Sequence, residues 1–154
     1  MLQIWILNEI HLFKLATPLF YIYFIIKLPA DMGRNSLLFT ACFLGLTIDF
    51  FSYSLGFNML ACTIVGFFRY YILNAFAPRD MADSFVPSVE TFGLPLFMRY
   101  TAILVIIHHT VFFIAENFSF FSLLMLTLKI VVSIILTLLL VLGTEQLKFD
   151  FLKK

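Results

Sequence analysis

The sequence predicts an all-α, polytopic membrane helix bundle forming a single integral membrane domain over residues 1–154, and three observations carry that expectation. Of the 154 residues, 62% are hydrophobic and 18% aromatic, with 21 phenylalanines, while only 12% are charged. A soluble domain carries about a quarter charged residues, so this chain has too little polar surface for water to cover. Mean hydropathy is +1.04, and apolar runs separated by short polar or proline-glycine breaks recur along the whole chain, as in a chain that crosses a hydrocarbon layer repeatedly. Net charge is +1. With no long basic run and no low-complexity tail, nothing points to nucleic acid or to a disordered arm.

The first segment, Met1 to Leu7, is apolar but lacks the basic start and small-residue cleavage site of a signal peptide. Asn8, Glu9, His11 and Lys14 interrupt it well short of the roughly 20 residues a span needs, so it reads as a short sixth span, an interfacial helix or the product of a late start codon. Leu15 to Leu28 reads as a short helix between Pro18 and Pro29, with Lys27 snorkelling to the interface. Asp31, Gly33, Arg34 and Asn35 make a turn. Ser36 to Phe51 is the next span, Ser52 to Gly56 a tight turn, and Phe57 to Phe76 the return span. Pro95 to Asn117 and Leu123 to Leu142 complete five spans beside the short N-terminal one. A loop at 77–94 and a short tail after Leu142 are the parts expected outside the membrane.

Lys and Arg alternate along this frame, with Lys14 alone against the bias and Lys129 inside a span. Lys27 and Arg34 flank one loop, Arg69, Arg79 and Arg99 lie in or beside the next on the same side, and Lys148, Lys153 and Lys154 end the chain. The turns Ser52 to Gly56 and Phe118 to Ser122 have none. The positive-inside bias therefore predicts a cytoplasmic C-terminus and a cytoplasmic 77–94 loop, with Asp49 at the outer end of its helix. That loop offers Phe85, Val86 and Phe92 as apolar anchors, either for a cytoplasmic partner or for the membrane surface.

Polar groups inside spans are the candidate functional positions, because a carboxylate or ammonium in hydrocarbon is expensive. Asp49 and Lys129 fall at a similar predicted depth, Lys129 about 9 Å from the start of the last helix, which suggests an ion pair. Two other readings stand beside it: Asp49 as an interfacial residue, solvated at its helix end or bonding the turn that follows it, and Lys129 snorkelling outward. His108 and His109 are adjacent, about 100° apart around a helix, which disfavours a shared metal and favours packed neutral rings. Ala41 with Gly45, and Ser133 with Thr137, are small-residue pairs four apart that let helices approach. Cys42 and Cys62 lie too far apart in depth for a disulfide. No nucleophile elbow, zinc helix or phosphate loop occurs, so the sequence points away from an enzyme and implies no metal or cofactor. Asp49 with His109 makes only a remote acid-base pair, without nucleophile or cleft.

Ile10-His11-Leu12-Phe13 with Ala16-Thr17-Pro18, Leu28-Pro29, Gly45-x-x-x-Asp49 with Gly56, Pro78-Arg79, Arg99-Tyr100 and His108-His109 together resemble the MreD family, rod shape-determining integral membrane proteins of bacteria. The glycine-aspartate hairpin is the most diagnostic part, and the N-terminus departs from the pattern, since the family usually has a longer apolar first helix. The resemblance implies a bacterial inner-membrane protein without enzymatic activity, acting as scaffold or regulator of cell elongation and lateral peptidoglycan synthesis. The implied partners are MreC, MreB and a peptidoglycan glycosyltransferase and transpeptidase, besides the lipid bilayer. It assigns no role to any residue; Gly45, Asp49, Gly56, Arg69, Arg99, His109 and Lys129 are candidate structural or partner-contact positions from glycine placement and from charge or polarity in a membrane. A second reading is the substrate-binding subunit of an energy-coupling-type vitamin transporter, with Asp49, His108 and Lys129 around an outer pocket. The first helix lacks the small-residue Ala-x-x-x-Ala face such subunits use to dock.

Overall fold

A computed structural model describes residues 19–77, 84–116 and 123–152, with the backbone alone for 149–152. Among these residues the chain is all helical: α1 (Ile22–Ile26), α2 (Arg34–Ser52), α3 (Phe57–Phe76), α4 (Val89–Phe92), α5 (Leu94–Glu116) and α6 (Leu123–Leu152). Four helices are long and apolar enough to cross a membrane: α2, α3, α5 and the Leu123–Lys148 part of α6. The expected fifth span, Leu15 to Leu28, is described from Leu19 and holds only the five-residue α1. The expected sixth, together with Pro18, falls in residues 1–18, outside the described residues, as do residues 78–83, 117–122 and 153–154.

The four long helices lie in chain order, α2 against α3, α3 against α5 and α5 against α6, with α1 set against both α3 and α5. Ile22, Ile25 and Ile26 of α1 are wholly buried, so this short helix fills core space against α3 and α5. Phe39, Phe43 and Phe50 of α2 and Leu124, Ile135 and Leu139 of α6 point away from the bundle, the faces that lipid would cover.

The α2–α3 hairpin owes its closeness to small residues. A methyl group on Gly45 would stand 2.4 Å from the Cα of Met59, so only glycine permits this contact. One on Gly66 would stand 2.9 Å from the Cβ of Ala41. Helix α2 stops because Tyr53 turns into the left-handed region at φ 52°, and α3 starts from Gly56 at φ 89°, where a side chain is disfavoured.

Helix α6 corrects the expected end at Leu142. It runs through Gly143 to Leu152 because its packed stripe, Ser133, Thr137, Val141 and Glu145, continues at steps of four beyond the apolar run. The 84–94 segment is also corrected: Phe85 meets Phe92 at a tilt, and Phe92, buried, packs edge-on against Tyr100 of α5. Two of the three expected anchors therefore fasten the segment to its own bundle, and Val86 alone is exposed. The Phe85 carbonyl accepts from Ala30 N–H at 2.8 Å, and Ser88 with Thr91 forms a capping box on α4.

Candidate functional site

Asp49 lies one turn before the end of α2 and is 5% exposed. Its Oδ1 accepts from Ser54 Oγ at 2.5 Å, Asn58 N–H at 3.1 Å and Asn58 Nδ2 at 2.8 Å, and its Oδ2 accepts from Met59 N–H at 2.8 Å. Asn58 and Met59 are the second and third residues of α3, whose amides have no partner within their own helix. Asp49 thus caps α3 from the neighbouring helix, and the positive end of the α3 dipole offsets its charge. Of the readings open in the sequence, bonding to the turn is the one the structure shows. The ion pair with Lys129 does not form.

Its failure has a geometric cause. Asn58 Oδ1 accepts from the Tyr21 hydroxyl at 2.5 Å, and that hydroxyl lies 3.0 Å from His108 Nε2. Next to His108, His109 Nε2 is 3.0 Å from Thr137 Oγ1. This chain of bonds ties the level of Asp49 to that of Thr137, whereas Lys129 stands eight residues, about 12 Å of helix, nearer the start of α6. Lys129 is half-buried with no ion pair among the described residues.

The two histidines take opposite tautomers. Tyr21 gives its proton to Asn58, so His108 donates from Nε2 and leaves Nδ1 as a buried acceptor without a donor among the described residues. His109 Nδ1 donates to the Val105 carbonyl at 2.9 Å, so its Nε2 accepts from Thr137, whose oxygen accepts in turn from Leu19 N–H at 3.3 Å. The rings face different neighbours, as their spacing predicts. Cys62 is buried 4.0 Å from His108 Nε2, and both cysteines are free thiols.

A second polar cluster occupies the opposite end of the bundle. Glu145 of α6, 3% exposed, pairs with Lys27 Nζ at 2.8 Å through Oε1, which also accepts from the Tyr23 hydroxyl at 2.5 Å. Its Oε2 accepts from Val89 N–H at 3.4 Å. The carboxylate joins α1, α4 and α6, and the Lys27 expected at the interface is held by an acid. Arg69 of α3, 1% exposed, donates to the Leu28 carbonyl beyond α1, with the Tyr100 hydroxyl beside it. Arg34, at the start of α2, stacks over Phe67 at 4.8 Å and Tyr71 at 5.5 Å. Arg99 is exposed.

Of the candidate positions, Gly45, Asp49 and Gly56 share the hairpin, and His109 belongs to the network that leads from it. Arg69, Arg99 and Lys129 stand apart. The sequence reading misses Tyr21, Asn58, Lys27 with Glu145, and Tyr23. Asn58 was legible as the first polar residue after the turn, and Glu145 as the next step of the Ser133, Thr137, Val141 stripe. Beside Asp49 an open groove of about 480 Å³ is lined by Leu46, Phe50 and Met59 among others. The polar atoms of Asp49 and Ser54 on its wall are already engaged within the hairpin, so the groove suits an apolar occupant.

Comparison with protein-family models, curated proteins and solved structures gives no significant match.

Proposed function

We propose that this chain is a non-enzymatic membrane scaffold of the MreD type in the bacterial inner membrane, serving cell elongation with MreC, MreB and a peptidoglycan glycosyltransferase and transpeptidase. The observation that carries the reading is the hairpin. Gly45, Asp49 and Gly56, the most diagnostic residues of the resemblance, act together as one rigid unit: a glycine contact, a carboxylate cap and a glycine turn. Leu28 and His108-His109, further matched positions, serve as acceptor and as ring partners between helices. Residues so used hold a shape, which is what a scaffold offers its partners. In this reading the C-terminus and the 77–94 segment face the cytoplasm, the α2–α3 turn faces outward, and the chain before α2 supplies the fifth and sixth spans.

The test is a mild-detergent pull-down of the tagged protein from its own cells, with partners identified by mass spectrometry and small molecules extracted from the same sample. Recovery of MreC with the wall-synthesis enzymes is the expected result. A vitamin-like ligand recovered with an ATPase module would instead favour the transporter subunit and overturn the scaffold.

A further inference from the structure

Among the described residues, Arg69 is a cation inside the bundle without an anion to match it. Its side chain is 1% exposed, and no carboxylate stands within 4 Å among the described residues, where the ion pair is Lys27 with Glu145. One guanidinium nitrogen donates to the Leu28 carbonyl, and Nε has no acceptor among the described residues. Fully desolvating a guanidinium costs more than one charged hydrogen bond returns, so buried arginines are matched by an anion. A water molecule would satisfy Nε but leave the charge.

The surroundings select the kind of anion. Tyr100 of α5 is wholly buried with its hydroxyl beside the guanidinium, and it donates over a long 3.4 Å to the Ile26 carbonyl. The apolar neighbours Ile26, Leu73 and Phe97 are buried in the same core. A guanidinium buried among such residues suits a small, weakly hydrated monovalent ion rather than a phosphate or a lipid headgroup. We infer that Arg69, with the Tyr100 hydroxyl, holds a chloride-class anion between α1, α3 and α5, and that this ion is part of the folded bundle. The inference is independent of the scaffold reading.

The protein, prepared and kept in gluconate, is unfolded thermally in detergent while chloride or bromide is titrated at constant ionic strength. The midpoint should rise by roughly 3–5 °C for each tenfold increase in halide above its dissociation constant. Radiolabelled chloride should bind the wild type at about one ion per chain, the count that a single guanidinium site gives. Tyr100→Phe keeps the ring in place and should weaken halide binding several-fold, and Arg69→Lys, which keeps the charge but not Nε, should weaken it further. Equal midpoints in chloride and gluconate would overturn the proposal. So would an equal rise with sulfate, or a halide dependence that both variants leave unchanged.

Discussion

The two ends of the bundle solve the same problem, a buried carboxylate, in different ways. At the α2–α3 turn, Asp49 is satisfied entirely by neutral donors, most of them on the first turn of α3. At the other end, Glu145 takes a tyrosine from α1, the lysine that caps that helix and one long amide bond from α4. The first arrangement is local, made within ten residues of sequence and locked by backbone. The second is assembled from parts 56 to 122 residues apart and depends on side chains. The hairpin should therefore be the stiff end, formed early and hard to alter, and the Glu145 clasp the end that can open.

The largest effect should come from breaking the close approach on which the hairpin rests. Gly45→Leu places a branched side chain where even a methyl group meets the Met59 backbone at 2.4 Å, and backbone cannot step aside. A loss of about 3 kcal/mol or more is expected, as for severe overpacking, and failure to recover folded protein is consistent with it. Steric trapping in bicelles would measure the milder Gly45→Ala, which should lose more stability than Gly143→Ala, where the added methyl meets open space. Equal losses would remove the glycine contact from the account.

Next comes the cap. Asp49→Ala leaves the amides of Asn58 and Met59 and the Ser54 hydroxyl without their acceptor, at a cost of about 2–3 kcal/mol. Asp49→Asn keeps one acceptor oxygen and should recover part of that loss. Hydrogen exchange at the first turn of α3 should quicken in both, while exchange at α4 stays as it was. Uniform quickening over the whole bundle would deny the local character of this end.

The clasp should yield less. Glu145→Gln retains an acceptor for the Tyr23 hydroxyl but removes the charge facing Lys27, which is 20% exposed and able to reach water. A cost of about 1 kcal/mol is expected, with easier proteolysis near Val89 once the clasp on α4 weakens. Resistance of that segment equal to the wild type would show that the Phe92 contact with Tyr100 alone holds it.

How much of this was legible in the sequence follows the same division. The bounds of α2 and α3, the glycine turn and the bonding of Asp49 to it could be read because they are local: a carboxylate, a glycine four residues before it and a turn just after. The clasp could not, since neither Lys27 nor Glu145 carries a local sign of the other, and the fall in hydropathy after Leu142 hides that α6 continues. Phe85 and Phe92 read as free anchors for a similar reason: Phe85 meets Phe92, whose own partner Tyr100 lies on a helix that packs only in the fold. The network through Tyr21, Asn58 and His108 spans 87 residues of sequence, beyond the reach of spacing arguments.

The smallest effect tests the one ion pair that depth alone suggested. Lys129 stands about two turns of α6 above the level at which Thr137 meets His109, and Asp49 already has four donors, so neither residue has reason to seek the other. Lys129→Met should change stability by less than about 0.5 kcal/mol, in either direction, because a half-buried lysine gives up little when an apolar chain replaces its stem. In a double-mutant cycle with Asp49→Asn the two changes should add within about 0.5 kcal/mol, as independent sites do. A coupling well above that would mean that the two charges do feel each other across the bundle. The hairpin would then cease to be a self-contained unit, and the contrast between the two ends would narrow to one of degree.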